Sequence, residues 1–478
     1  MKPEITAPGG NIYSVNGAVA GGQAYEVMSG TSMAAPQVAG MAALVAQYIR
    51  ENGLKEKTGV SVRHLAQSLL MSTAEPVYDA STKSWYSILK QGAGLANVSN
   101  AIHAESYVLV DGQPDGKVKV ELGDDPDRTG VYSADFTLNN LTDEAIEYTL
   151  SADVFTQAPV SSEGVLYLLP KTVSMAANVV WTVDGKVLTA PSELTAYDFD
   201  KDGDTDADDA QLLLDDVTAG AGKLKADVDG DGDTDTHDVS ELLKLISAAK
   251  VVLPADGSIS VHVTFSLIDE EKEFLDAYYT NGAYVEAFLY ANPVSAEDGV
   301  ERVSHSIPVL GFYGNWSDAS MFDKGTLSEY WYEKETRNPY LPDSDGSPNM
   351  FGNMVTVKYA NEDGEYYYFG NPLAEDDEYV PARNALNNEN GDQIFKLYFA
   401  SIRNAGDAKY VISDAETGEV YVEKDLGPVS AAFYYANGGS WQDTQKTVNP
   451  GWSGTKANGE KLPEGKIGRA SCRERVSG

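Results

Sequence analysis

Apolar and polar residues alternate with two different periods along this chain, and the change of period divides it. From Met33 to Ala46 apolar and small residues run almost without interruption, which predicts a helix from about Thr31 to Arg50, apolar on most sides and therefore buried. Gly53 should stop it. A second helical pattern covers Val62 to Ser72, with Leu65, Leu69 and Leu70 on one face, and a short strand is expected near Ile5. From Lys117 the period becomes two. Val118–Leu122, Val131–Leu138 and Tyr148–Ala152 read as strands, and after an interruption the pattern resumes at Ile259–Leu267, Tyr284–Tyr290 and Val303–Phe312. Short strands with regular turns predict a β-sandwich. A further β-rich stretch follows, with strands expected at Gln393–Arg403, Lys409–Asp414, Glu419–Val422 and Ala431–Tyr435, and a turn at Asn404-Ala405-Gly406.

The interruption contains two loops of one design. The first places Asp198, Asp200, Asp202, Asp206 and Asp209 at loop positions 1, 3, 5, 9 and 12; the second repeats this with Asp227, Asp229, Asp231, Asp235 and Asp238. Gly203 and Gly232 stand at position 6, where a loop must turn sharply to wrap an ion, and Asp204 and Asp233 at position 7 would offer backbone carbonyls. A hard cation needs six to eight converging oxygens, so the expected cofactor is Ca²⁺, two ions in all; Mg²⁺ fits worse because it demands tight octahedral geometry. Without a cation the aspartates repel, and the insert is expected to order only on metal binding. Each loop runs into a helical pattern.

Composition adds limits. The 478 residues allow three or four domains, and a net charge of −38 excludes a nucleic-acid partner. No apolar run is long enough for a transmembrane helix. The one cysteine, Cys472, lies in a basic stretch, residues 467–478, that breaks the β pattern and reads as appended non-native sequence.

The candidate chemistry lies in Glu26–Pro36. Gly30 permits a tight turn, and Ser32 would stand at a helix N-terminus, where free N–H groups and the dipole favour an oxyanion. Gly30-Thr31-Ser32-Met33-Ala34-Ala35-Pro36 resembles the nucleophile signature of subtilisin-like serine peptidases. Lys2–Gly10 resembles the strand and loop upstream of it, and Gln91–Asn97 the closing Gly-rich turn; Gln37 departs from the histidine many relatives carry. The resemblance implies Ser32 as the nucleophile, supported by Gly30 and Thr31 in the substrate cleft, with peptide or protein substrates. In that family the aspartate, histidine and oxyanion-hole asparagine lie upstream. Only 31 residues precede Ser32, with no Asp or His among them, and His64 reads as a helix-surface residue. The expectation is therefore a C-terminal piece of a longer enzyme, inactive by itself, whose residues 1–105 fold poorly.

The later strands resemble the fibronectin type III-like domains of cell-envelope proteinases of the lactocepin type, with Ile307–Trp316 the most specific match. Asp at position 12 in a tandem loop–helix repeat resembles a type I dockerin, whose partner is a cohesin domain. In dockerins positions 10 and 11 read the cohesin; here they are Ala207-Asp208 and Thr236-His237. The combined expectation is multidomain. A truncated α/β subtilisin-like domain (1–105) precedes two β-sandwich, fibronectin type III-like domains (106–316 and 317–466). The first carries an α-helical dockerin-like or EF-hand-like insert (194–250). The implied location is extracellular or on the bacterial cell envelope. Two alternatives stand beside it: the insert as a purely structural Ca²⁺ clip, and the whole chain as a non-catalytic, Ca²⁺-dependent adhesion or docking protein.

Overall fold

The computed structural model describes residues 1–16, 25–162, 165–188, 195–203, 205–294 and 302–316, and stretches between 354 and 462. The chain divides into two compact units, 1–316 and 317–478.

The first unit opens with strands β1 (Ile12–Val15) and β2 (Tyr25–Met28), which pair antiparallel and lead into helix α1 (Thr31–Glu51). Helices α2 (Leu54–Thr58) and α3 (Val62–Ser72) follow, the latter capped by the Ser61 side chain. The expected burial of α1 is corrected: only Val45 and Ile49 are buried, and Leu44 is 55% exposed. α3 and α5 (Val98–His103) cover one side of α1, so a sequence apolar all round still presents an open face. The strand near Ile5 reduces to a single bridge between Thr6 and Leu95.

A short hairpin, β3 (Tyr78–Asp79) and β4 (Ser84–Trp85), and helix α4 (Ile88–Gln91) lead to two facing sheets. One sheet is built from β5 (Ser106–Val110), β7 (Val131–Asn140), β10 (Ala177–Val183), β11 (Lys186–Val187) and β13 (Ser258–Leu267), in the order β11-β10-β13-β7-β5. The other runs β12-β8-β14-β15-β6, with β9 (Val165–Met175) also paired to β8. Its strands are β6 (Val120–Asp125), β8 (Ile146–Ser162), β12 (Ala249–Leu253), β14 (Ala283–Pro293) and β15 (His305–Tyr313). Alternation places Tyr132, Ala134, Phe136 and Leu138 of β7 and Val261, Val263 and Phe265 of β13 inward, against Leu150, Val285, Leu289 and Val309 of the opposite sheet. β6 and β15 run parallel; every other pair in the two sheets is antiparallel.

Between β11 and β12 the chain leaves the sandwich and forms helices α6 (Ala207–Thr218) and α7 (Thr236–Ser247). Their small core of Leu213, Leu214, Leu242, Leu243 and Ile246 is completed by Ala176 and Ile268 from the sandwich. Helix α8 (Asp269–Tyr278) follows β13, with Asp269, Glu270 and Glu271 in its first turn, where the dipole favours acid.

The N-terminal helices join the sandwich through one shared core, since Met71, Ala74 and Ala93 pack with both sheets. Two buried polar contacts lock the joint. His305 Nδ1 pairs with Ser72 at 2.9 Å and its Nε2 with Ser106 at 2.6 Å, and Ser106 pairs in turn with Tyr148. Burial pushes His305 down to about 4, so the ring is neutral. Glu286 on β14 accepts from the Ser87 hydroxyl and from Ile88 N–H at 2.5 Å, capping α4.

Among its described residues the second unit has a four-stranded sheet and two two-stranded ribbons. The sheet runs β17 (Tyr366–Phe369), β16 (Met354–Ala360), β18 (Gln393–Phe399), β23 (Lys446–Val448). One ribbon pairs β19 (Ala405–Ser413) with β20 (Val420–Val429), the other β21 (Phe433–Tyr435) with β22 (Ser440–Gln442). Ala405-Gly406, expected as a turn, opens β19 instead: the register shifts between Ala405 and Ala408, so the glycine sits at a bulge rather than a reversal. Cys472 and the basic C-terminal stretch lie outside the described residues.

Burial pushes the Glu286 carboxyl up to about 7, against the pull of the Ile88 N–H and Ser87 hydroxyl. The folded state therefore holds this proton more tightly than the unfolded chain, whose carboxyl titrates near 4.5. Stability from this group is gained as pH falls through 7 and is complete below 4.5. Compared with Glu286→Gln, the native chain should gain ~3 kcal/mol across that window in denaturant titrations. A constant difference between the two proteins would refute it.

Candidate functional site

Ser32 is the second residue of α1, as its surrounding sequence predicts. Gly30 is the N-cap at φ 154°, a conformation that side-chain-bearing residues rarely adopt, and its carbonyl accepts from Met33 N–H at 3.0 Å. Three contacts hold this turn against the N-terminal segment. Gly30 N–H donates to Gly9 O at 2.7 Å, Asn11 N–H to the Ser29 hydroxyl at 2.8 Å, and the Gln37 amide to Pro8 O at 2.7 Å. Residues 4–6 then pair with 93–96 through Ala93 N–H to Glu4 O, Thr6 N–H to Gly94 O and Ala96 N–H to Thr6 O. The three stretches singled out in the sequence are thus one assembly. Gln37, which departs from the more usual histidine, ties it together.

Thr31 and Ser32 are exposed, and among the described residues the Ser32 hydroxyl has no hydrogen-bond partner. His64 lies on α3, packed against Gly116 and away from any role shown for Ser32.

The two acidic loops fold around their position-12 carboxylates in the same way. Asp209 Oδ1 accepts from Phe199 N–H (2.5 Å) and Asp200 N–H (3.2 Å), and Oδ2 from Asp206 N–H (3.0 Å). Asp238 Oδ1 accepts from Val228 N–H (2.6 Å) and Asp229 N–H (3.2 Å), and Oδ2 from Asp235 N–H (2.7 Å). Both position-12 carboxylates are 1% exposed, and both close a capping box with Asp206 or Asp235 as N-cap. Carboxylate oxygens of Asp198, Asp200 and Asp209 lie within 4.8 Å of one another, as do those of Asp227, Asp229 and Asp238, and of Asp233, Asp235 and Asp238. Positions 1, 3 and 12 therefore converge in each loop, while Asp202, Asp206 and Asp231 stand outside these triplets. Asp204 lies outside the described residues.

The first loop has the chemistry of a cation site. Asp198 Oδ1 is buried without a partner. At Asp200 the Asp202 N–H pulls the carboxyl down, but burial and the charges of Asp202, Asp209 and Asp198 outweigh it and raise the carboxyl above its usual range. An oxygen-only donor set of this kind fits a hard cation.

Comparison with known proteins now bears on the Ser32 assembly. Residues 1–102 match the subtilase family (Peptidase_S8). Over 476 residues the chain is 25% identical to the PI-type proteinase of Lactococcus lactis subsp. cremoris, covering 95% of this chain and 19% of that protein. It is 36% identical over 353 residues to the C5a peptidase of Streptococcus pyogenes serotype M3, covering 72% of this chain and 23% of that protein. The chain spans about one fifth of the length of the curated relatives it matches. No described helix is long and apolar enough to cross a membrane.

The subtilase segment and the acidic insert touch, which no sequence pattern announces. Lys83, in the β3–β4 turn, places its ammonium 3.3 Å from Asp229 and in direct contact with Asp231. Lys244 of α7 pairs with Asp153 of β8 at 2.7 Å, and the Trp85 indole donates to the same carboxylate at 2.9 Å. Of the position-10 and -11 residues, Ala207, Asp208 and Thr236 are exposed and His237 half-buried.

A Cβ on Gly9 would stand 2.8 Å from Gly30 O, whereas one on Gly10 meets nothing. Gly9→Ala should therefore displace the turn before Ser32 and cost about 1–3 kcal/mol, with Gly10→Ala within about 0.5 kcal/mol of the parent. Hydrogen exchange at residues 28–33 alongside thermal unfolding checks this; equal protection in both variants refutes it.

Proposed function

We propose that this chain carries the nucleophile-bearing segment of a secreted or cell-envelope serine endopeptidase, with Ser32 forming the acyl-enzyme. The observation that carries the reading is the joining of residues 2–10, 26–36 and 91–97 around the N-terminus of α1, in a segment that matches subtilases. The N-terminal end of α1 would polarise a substrate carbonyl as charge develops on its oxygen. Gly30, lacking a side chain, and Thr31 leave room for a peptide beside the hydroxyl. A hydroxyl becomes a nucleophile only when a base takes its proton, and no described side chain is placed against Ser32 to do so. In this reading Ser32 works with a histidine base and an aspartate that orients it, neither of which stands against it among the described residues. The sandwich of the first unit and the β-rich second unit, whose sequences resemble fibronectin type III-like domains, would serve as spacers that present the peptidase on the cell surface.

The insert, dockerin-like in pattern, binds two Ca²⁺ ions. Asp198, Asp200, Asp202, Asp206 and Asp209 would hold one; Asp227, Asp229, Asp231, Asp235 and Asp238 the other, with carbonyls at positions 7. Its principal role is a structural clip, because its core is closed by Ala176 and Ile268 and α7 is pinned by Lys244. Cohesin capture through Ala207-Asp208 and Thr236-His237 is the competing use, and a pulldown with cohesin domains separates the two.

Fluorophosphonate should label Ser32 in the product of the complete open reading frame and not in the 478-residue chain. Failure of the complete protein to label at Ser32 would sink the peptidase reading and favour a non-catalytic adhesion role. Separately, saturating Ca²⁺ should raise the melting temperature and a chelator reverse it, by about 2.7 kcal/mol per site at a hundredfold excess over Kd. Asp209→Asn and Asp238→Asn should each remove one site; a melting curve indifferent to Ca²⁺ refutes the clip.

A further inference from the structure

One carboxylate is shared by three parts of the first unit. Asp153, on β8 of the sandwich, meets the Lys244 ammonium at 2.7 Å through Oδ1 and accepts from the Trp85 indole N–H at 2.9 Å through Oδ2. Lys244 belongs to α7 of the insert and Trp85 to the subtilase segment. The Asp153 side chain is only 14% exposed, and a carboxylate drawn this far out of water depends on both partners. Both contacts lie outside the acidic loops.

From Trp85 a continuous set of contacts runs to the Ser32 turn. The indole packs edge-on against Phe288 of β14, with ring centres 5.9 Å apart. Its strand is held by Thr172 of β9, whose hydroxyl donates to the Ser84 hydroxyl at 3.1 Å and to the Trp85 carbonyl. One residue on, the Tyr86 carbonyl accepts from the Gln91 side-chain amide at 2.5 Å, and the same side chain accepts from Val77 N–H at 2.7 Å. Gln91 is buried, so these bonds are shielded from competing water. Its own carbonyl accepts from the Thr6 hydroxyl at 3.0 Å, inside the pairing of residues 4–6 with 93–96 that carries the chain to Gly9 and Gly30.

We propose that Asp153 is a positioning residue for the Ser32 turn: by holding α7 and Trp85 on one carboxylate, it makes the insert a brace for the subtilase segment. The catalytic consequence rests on the peptidase reading of Ser32; the brace itself does not. Lys244 also stands 3.7 Å from Glu241, so its charge offsets the repulsion between that carboxylate and Asp153. A charged carboxylate is in turn the stronger acceptor for the indole. Without the ammonium, the Asp153 charge would be left with one neutral donor in a half-dry site, and a single indole N–H does not replace water. The hairpin that carries Trp85 then yields, and with it the Gln91 contacts. The coupling is reciprocal, so loosening Trp85 must loosen α7 as well. The insert thus bears on the Ser32 turn through the hairpin, α4 and residues 91–97.

Hydrogen exchange of the 478-residue chain tests this. Lys244→Met should speed exchange about tenfold in residues 78–97 and 28–33 and leave β7 and β13 unaltered. Lys244→Arg, which keeps the charge, should hold both segments at the parent rates. Trp85→Phe, which keeps the packing on Phe288 and loses the N–H, should speed exchange in α7 and at 28–33, and it decides the matter if Lys244→Met does not fold. In the product of the complete open reading frame, Lys244→Met should also slow fluorophosphonate labelling of Ser32. Unchanged exchange at 78–97 and 28–33 in Lys244→Met, with α7 alone affected, overturns the brace. If exchange responds as expected while the complete parent protein does not label at Ser32, the brace stands and the peptidase reading falls.

Discussion

A carboxylate removed from water must be met by donors or by a cation, and most of this architecture follows from how an acidic chain satisfies that demand. Asp209 and Asp238 are buried because backbone N–H groups of their own loops turn inward to reach them, and those turns give the loops their shape. Glu286 is buried because the start of α4 is aimed at it, and that contact fixes the subtilase segment on the sandwich. Asp153 is shielded by Lys244 and Trp85, which seat the insert. At Glu286 and Asp153 a carboxylate from one part of the first unit is answered by donors from another.

The sandwich is more than a spacer in this unit. Its core extends into Met71, Ala74 and Ala93, and the neutral His305 network ties the end of α3 to β5 and β8. Through this core the sandwich supports residues 4–6 and 93–96, which in turn hold the Gly30 turn. The Ser32 turn thus has a foundation on one side, while α1 is exposed on the other.

Much of this was legible from local pattern. α1 and α3 lie where a helical period and their stop signals put them, because propensity, capping and apolar spacing agree there. β7 and β13 follow strict alternation, since one face of each is core, whereas β14 and β15, inner strands of their sheet, are buried on both faces and read as apolar runs. The loops were legible for a different reason: aspartates and a glycine recur at the same offsets in two copies, and each copy marks the other. α8 carried its own signal, three acids in a first turn, which the surrounding strand pattern obscured. β9 and β10 carried none, because Pro170, Lys171 and Asn178 break alternation in strands whose pairing is decided by β8 and β13.

Sequence by itself determined where the candidate chemistry lies: Ser32 beside Gly30, and two aspartate loops of one repeat. Those are local facts, written in spacing and in the conformations glycine allows. Only the tertiary structure decided that Gln37 and Gly9 brace the serine turn, that α1 is half bare, and that Lys83 reaches the second loop. Contacts between residues more than a hundred positions apart leave no periodic trace, and a lysine in a surface turn looks the same whether it faces water or a carboxylate.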